Sequence, residues 1–365
     1  MKIMATLYRT FLGLALVLFS VHVSIAQEQV SKTVEERFPL TDAGTLQLEN
    51  KYGNITINGW DKKEVAIEIA IVVNRRKRDD AEDLLSRINP NIKSTNGLVS
   101  ITSEVAKKNT GWFADFFNRT NPIDLDRSRV RIDYQVFLPK KAKLKVTNRF
   151  GDVVLEDWSG ELNTLIEHGD LWIGEDINKA DIILKFGKLR ARNLNYASLN
   201  VKNGELEMEN AKSLRVNGSG TEIQLGKVNT LELYSNKDDI TIREIGTIYG
   251  NLKFTTLQLE RLSQDLDLSM KIADFRVQQV TSPDAEINIE QESSDINISV
   301  TNFSHRFDAT LEQGVVRLPK SFDNVDSKLM DKGSRLREIR ATYGKDQTGR
   351  ISINGVKGIV TLHEQ

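Results

Sequence analysis

From residue 199 onward, apolar residues come in pairs separated by one polar residue. The pairs are Leu199/Val201, Leu206/Met208, Leu214/Val216, Ile223/Leu225, Leu231/Leu233 and Ile240/Ile242. Their starts lie 7, 8, 9, 8 and 9 residues apart. Alternation of this kind marks short β-strands with one face buried, and two such strands use about 17 residues of chain. A second marker runs at the same pitch upstream: Gly151, Gly169, Gly187 and Gly204 are separated by 18, 18 and 17 residues. Each falls between two strands, where glycine permits a left-handed corner. Asp152 and Asp170 beside two of them add turn chemistry.

A repeat of 17–18 residues made of short strands and glycine corners predicts an all-β fold: a parallel β-solenoid, β-helix-like, with rungs stacked about 4.8 Å apart. The pairs at Leu206, Leu214, Ile223, Leu231 and Ile240 face inward in this reading. Proline placement supports it, because none of the six prolines lies between residues 140 and 282, where every backbone N–H serves a ladder. The rival is a β-sandwich of antiparallel hairpins, for which Asn203-Gly204 and Asn217-Gly218 would supply turns. After residue 245 the pitch loosens, through Leu252/Phe254, Leu266/Leu268, Phe275/Val277, Ile287/Ile289 and Ile296/Ile298 to Val316/Leu318. Nine or ten rungs from Val146 to Leu318 would make a rod of about 45 Å.

The ends of the chain differ. Residues 1–26 have a basic start (Lys2, Arg9), an apolar run from Phe11 to Val23 and small residues at Ser24 and Ala26. This is the pattern of a secretory signal peptide. A retained membrane anchor is the alternative, but the run is shorter than the roughly 20 residues that span a bilayer. Residues 27–140 read as a small α+β N-terminal cap, with strands at 46–60, 65–73, 98–104 and 130–138, and a helix from Asp79 to Ile88. The solenoid then occupies 141–320, and 321–365 supplies closing strands at the other end.

Two segments nearly copy one another. Asn50-Lys51-Tyr52-Gly53-Asn54-Ile55-Thr56-Ile57 ends at Trp60, and Asn148-Arg149-Phe150-Gly151-Asp152-Val153-Val154-Leu155 ends at Trp158. Together with Val136-Phe137-Leu138-Pro139-Lys140 and Ile351-Ser352-Ile353-Asn354-Gly355, this pattern resembles the bacterial "putative adhesin" family, exported domains of unknown function related to auto-transporter adhesin head domains. The resemblance spans about residues 40–362. It implies a fold and a surface role, and brings no catalytic residue with it.

Composition narrows the chemistry. The 365 residues include 50 Lys+Arg, 51 Asp+Glu, four His and no Cys. The absence of cysteine excludes disulfides, thiolate metal sites, a cysteine nucleophile and a lipidated N-terminal cysteine. A net charge of −1 gives no electrostatic footprint for nucleic acid. His168, His305 and His363 share no metal-ligand spacing, and His168 occupies the corner position held by Phe150 and Phe186 in neighbouring repeats. No nucleophile elbow, phosphate loop or zinc-protease motif occurs, and nothing calls for a cofactor. The outward acids Glu167, Glu205, Glu207 and Glu209 and the adjacent pair Asp238-Asp239 are the candidates for a polysaccharide-cleaving site; a solvated face is the simpler reading.

The most unusual stretch is Gly111–Asn118, with Trp112, Phe113, Phe116 and Phe117 among only 25 aromatic residues in the chain. These four are the candidate partner contact, or else a lid over an end of the rod. Arg75-Arg76-Lys77-Arg78 is a basic run at the helix start, read as a solvated turn. The sequence therefore predicts a non-enzymatic, exported solenoid acting as an envelope or cell-surface interaction scaffold. Its partner would be an envelope protein or a glycan, and its location the periplasm, the outer-membrane surface or the cell exterior. The alternatives are a polysaccharide-acting enzyme on a β-helix and an element that assembles end to end. No transmembrane segment is expected in the mature chain.

Overall fold

A computed structural model describes residues 28–105 and 129–364. The expected signal peptide and the aromatic stretch Gly111–Asn118 lie outside the described residues. The chain divides into two units. The described part of the smaller one comprises residues 28–32, 71–88 and 129–131. It holds the helix Arg78–Arg87, which buries Ala81 and Leu84. Asp79 and Asp80 in its first turn and Arg87 in its last complement the helix dipole. The pairs Arg78–Glu82 and Arg87–Asp83 add i,i+4 support.

The larger unit is a parallel β-solenoid of two sheets, each coil giving one strand to each. In the central coils the two strands fuse into bent 15-residue strands: Lys188–Lys202, Glu205–Ser219, Glu222–Asn236 and Asp239–Lys253. Equivalent residues pair in parallel, as in Leu189↔Leu206↔Ile223↔Ile240 and Ala197↔Leu214↔Leu231↔Ile248. Parallel pairing through this region excludes the sandwich of hairpins. Leu206, Leu214, Ile223, Leu231 and Ile240 are all buried, because alternate side chains of each strand point into the narrow space between the sheets.

From Lys143 onward the pitch changes at one corner only. Where the chain passes from the second sheet back to the first, Ile173 to Ile177 spans four steps, and its counterpart Ala191 to Leu194 spans three. That single residue converts 18-residue coils into 17-residue ones. A longer insertion at the same corner, around Ser282 and Pro283, accounts for the wide step from Leu266 to Ile287. From Lys143 onward the other corner keeps a constant length, whereas in the coil of Leu98–Val105 and Val130–Pro139 it carries an insertion, Thr102 to Tyr134 replacing Glu49 to Ile55.

Coil order departs from chain order at both ends. Thr45–Tyr52 lies between Leu98–Val105 and Lys143–Phe150 in the first sheet. Its companion Ile55–Trp60 lies between Val130–Pro139 and Val153–Glu156 in the second. These strands are coils of the same stack, where the sequence had suggested a separate cap. At the other end, Gly349–Val356 lies between Glu286–Glu292 and His305–Glu312, and Ile359–His363 between Asp295–Ser299 and Val315–Arg317. The last strands of the chain are thus held inside the stack. Closure falls instead to an antiparallel hairpin, Asp323–Asp331 with Leu336–Tyr343, which pairs with His305–Glu312. Sequential stacking from Glu286 through His305, the order expected from the sequence, is corrected here. A strand's alternation fixes its inward face but not its neighbour.

Candidate functional site

The constant corner, where each coil passes from the first sheet to the second, carries the most organised surface of the molecule. One residue per coil is left-handed there: His168, Phe186, Asn203, Gly220, Lys237, Phe254, Ile272 and Ser293 have φ between 49° and 64°. Seven of the eight are not glycine, so each is held in a disfavoured conformation by its neighbours. The glycine that follows in the early coils serves a different purpose from the one its type suggests. Gly169, Gly187 and Gly204 do not need a left-handed φ. A Cβ on Gly187 would lie 1.9 Å from the carbonyl oxygen of Gly169, and one on Gly204 would lie 2.2 Å from that of Gly187. Close approach of stacked corners excludes a side chain. Gly53 and Gly151 combine both demands, with φ of 118° and 137°, as does Gly358 with φ of 79° and a Cβ position 2.4 Å from the Ser294 oxygen.

Around this contact each residue of the repeated motif has a task. Asn148 points inward and donates to the carbonyls of Gly53 and Gly151 at 3.0 and 2.9 Å. Asn50 does the same for Ile132 and Gly53. Asp152 and Asp170 accept the backbone N–H of the equivalent residue one coil on, Asp170 at 2.9 Å and Lys188 at 2.8 Å. Trp158 is fully buried and donates from Nε1 to the Ala142 carbonyl. Its counterpart Trp60 donates to Glu64 and stacks on the exposed Phe137.

The aromatic residue before the glycine faces out. Tyr52, Phe150, His168 and Phe186 stack along the corner with centroid spacings of 5.4, 5.2 and 4.7 Å. This places His168 in a ring stack, as its repeat position suggested. The stack ends at Phe186, which is half exposed. Beyond it the column continues as Asn203 and then Gly220, and a trough of about 610 Å³ opens, lined by Asp170, Lys188, Asn203, Glu205 and Glu222 over Gly187, Gly204 and Gly220. Further along, Phe254 and Ile272 occupy the same column and are again half exposed. The sequence names Phe186 only as the corner equivalent of His168 and does not single out Ile272. It makes Phe254 half of an apolar strand pair with Leu252, which is corrected here by its left-handed corner position and half exposure. The signal was present, in an apolar residue just before the small corner residue at coil spacing, but its outward aim depends on the left-handed backbone.

The acids considered for catalysis are distributed otherwise. Lys188 bridges Glu205 and Glu207 at 3.2 and 3.0 Å, and Arg190 adds a second bond to Glu207. Lys185 holds Glu167 at 2.7 Å. Further ladders join Glu161 to Lys143 and Lys179, Glu232 to Arg215, and Glu244 to Lys227 and Arg261. Hydrogen bonds from these cations hold the carboxyls of Glu161, Glu207, Glu232 and Glu244 below the ordinary range. Asp238 and Asp239 do not form a pair. Asp239 is exposed, whereas Asp238 is 4% exposed and points inward. There it accepts from Thr221 N, Ser235 Oγ and Asn236 N at 2.8, 2.6 and 3.2 Å. Burial raises its pKa against those bonds. Gly218 makes room for it, since a Cβ there would meet Asp238 Oδ2 at 2.3 Å.

His305 is fully buried against Phe303, Phe322 and Tyr343. Its Nδ1 bonds the Phe303 carbonyl at 2.7 Å, and Nε2 has no hydrogen-bond partner among the described residues. Burial lowers its pKa. Among the described residues, no three His, Asp or Glu side chains gather as a metal site, and no helix is long and apolar enough to cross a membrane. Trp112, Phe113, Phe116 and Phe117, the contact expected from the sequence, lie outside the described residues.

Parallel coils, a corner of stacked close approaches and outer faces laced by cross-coil ion pairs define a β-solenoid repeat protein. The chain belongs to the Toastrack DUF4097 family, whose model matches residues 20–342. Solved structures similar to it include an adhesin, described as putative, from Parabacteroides distasonis (12% identity, TM-score 0.34, covering 72% of this chain and 95% of that one). Another so described is from Parabacteroides merdae (14%, 0.32, 73% and 96%). A third, from Parabacteroides distasonis, is a lipid-binding protein likewise described as putative (13%, 0.32, 72% and 96%). No curated protein matches the chain.

Proposed function

We propose that this protein is a non-enzymatic, exported scaffold of the cell envelope or cell surface, adhesin-like in role, which meets its partner along the left-handed corner. The observation that carries this reading is the division of labour on its surface. Glu161, Glu167, Glu207, Glu232 and Glu244 on the outer faces are engaged in cross-coil ladders, and the corner leaves Phe186, Phe254 and Ile272 half exposed in one column. Exposed apolar groups set in a polar rim suit a protein partner or a sugar face. A glycan-cleaving enzyme would instead need an accessible carboxyl kept protonated near neutral pH. The accessible Glu161, Glu207, Glu232 and Glu244 are biased the other way, and Asp238, the one carboxyl raised among the described residues, is enclosed behind the corner.

The test is a binding measurement on envelopes from the cells that make the protein, with the parent and the variant Phe186→Ser/Phe254→Ser/Ile272→Ser. The expected result is saturable association of the parent, and at least about tenfold weaker association of a variant that melts within a few degrees of it. A parent that does not associate, or a variant that associates equally well, would overturn the proposal.

A further inference from the structure

The closing hairpin leaves a strand edge uncovered. Asp323–Asp331 pairs antiparallel with Leu336–Tyr343 on one side. All nine of its residues are exposed, including Val325 at 55% and Met330 at 50%. Among the described residues no strand pairs with its other side. The outward N–H and C=O groups of such an edge form a template for a further strand.

Its sequence indicates which strand. Within Asp323-Asn324-Val325-Asp326-Ser327-Lys328-Leu329-Met330-Asp331 the central five residues, Val325 to Leu329, are self-complementary about Ser327, while Asp323 and Asp331 at the ends would face each other as like charges. Laid antiparallel against a second copy of itself, with Ser327 on the two-fold axis, the strand sets Asp326 opposite Lys328 twice and Val325 opposite Leu329 twice. Within one chain Asp326 already lies opposite Arg340, and Lys328 opposite Glu338. Across the joined hairpins the charges would alternate: Arg340, Asp326, then Lys328 and Glu338 of the second copy. Opposite charges and apolar pairs directly across strands are both stabilising. The edge carries register shifts between Asp323 and Asp326, where Asn324 has a φ of 52°, and between Leu329 and Asp331, so its regular part is Asp326–Leu329, which holds Ser327 and both members of the Asp326–Lys328 pair.

We propose that the protein forms a two-fold dimer by antiparallel pairing of the Asp323–Asp331 edges, joining two solenoids at their C-terminal hairpins. This goes beyond the scaffold reading and does not depend on it, because it concerns a different surface.

The chain has no cysteine, so single cysteines report the register. Facing Cα atoms in such a pair lie about 4.5–5.5 Å apart, within the span of a disulfide. Full-length Ser327→Cys should form a disulfide-linked dimer under mild oxidation. Val325→Cys alone and Leu329→Cys alone should not, and an equimolar mixture of those two should form the mixed dimer. Sedimentation of the cysteine-free parent should show a concentration-dependent dimer. Asp326→Ala/Lys328→Ala should raise its dissociation constant about tenfold while melting close to the parent. A parent that stays monomeric at high micromolar concentration, or a folded Ser327→Cys that does not cross-link, would refute the proposal. So would Val325→Cys cross-linking to itself as readily.

Discussion

Replacing Gly187 with Ala is the sharpest test of how the corner is built. The added Cβ would sit 1.9 Å from the Gly169 oxygen, and ordinary contact begins at about 3.4 Å. The two coils must therefore separate locally by about 1.5 Å. Two hydrogen bonds cross that gap: His168 N to Lys185 O at 2.8 Å, and Lys188 N to Asp170 Oδ1 at 2.8 Å. Losing both, with their polar groups partly enclosed, costs about 2–3 kcal/mol. Loosening the His168–Phe186 stack adds about 0.5–1 kcal/mol. A total near 3 kcal/mol should lower the melting temperature by about 5–10 °C in a chain of this size. The companion variant Phe186→Gly separates contact from conformation. Glycine relieves the left-handed strain at 186 by about 1 kcal/mol, which offsets the lost stack, so its melting temperature should stay within about 3 °C of the parent. Calorimetry on the three proteins decides the matter. If Gly187→Ala melts like the parent, or if Phe186→Gly is the more damaging change, the close-approach account is wrong.

Other expectations follow from the same packing. Ile223→Asp puts a charge where the side chain is 1% exposed. It should cost several kcal/mol against a total of about 5–15 and abolish soluble folded protein; a melting temperature near the parent's would show that Ile223 does not face inward. Asp238→Ala strands the buried Thr221 N–H and Ser235 hydroxyl and should cost about 2–4 kcal/mol, read as a lower urea midpoint with unchanged slope. His305 is held neutral by burial, so its folded pKa lies below the unfolded value near 6.5. Its contribution is present above pH 6.5 and is lost as pH falls towards its folded pKa, by at most about 1.4 kcal/mol per pH unit. His305→Asn keeps a donor for the Phe303 carbonyl and should flatten that part of the pH–stability curve; an unchanged slope would show that His305 does not set it.

Strand identity and inward register were legible because alternation with period two is a local property. Leu206, Leu214, Ile223, Leu231 and Ile240 face the core as their spacing required. The repeated Asn-x-aromatic-Gly-[Asn/Asp] motif was visible too, and its roles became clear once coils were adjacent: inward clasp, outward ring, close contact, cross-coil acceptor. The purpose of the glycines was not legible, because a left-handed φ and a missing Cβ both select glycine, and only the 1.9 Å approach at Gly187 tells them apart. The left-handed residues themselves were hidden for the converse reason. His168, Phe186, Lys237 and Ile272 have nothing in common as residue types; neighbouring coils impose the conformation. Asp238 and Asp239 looked like a pair because they are adjacent, yet alternation through Asp238, Asp239 and Ile240 sends only Asp239 outward. The order of coils at the two ends was illegible for the most general reason. Thr45–Tyr52 and Gly349–Val356 alternate as any inner strand does, and nothing local to them names their neighbours.

The insertion of the C-terminal strands into the stack is directly measurable in a chain without cysteine. Asn288 pairs in parallel with Ser352, and Ser352 in turn with Asp308, so Asn288 and Asp308 lie two coils apart. Neighbouring strands are about 4.8 Å apart, within disulfide reach, and two coils, about 9.6 Å, are beyond it. Under mild oxidation Asn288→Cys/Ser352→Cys should close an intramolecular disulfide rapidly, and Asn288→Cys/Asp308→Cys should remain reduced in the folded protein. Rapid closure of the second pair with the first left open would place His305–Glu312 directly on Glu286–Glu292, and would contradict the insertion of the C-terminal strands into the stack.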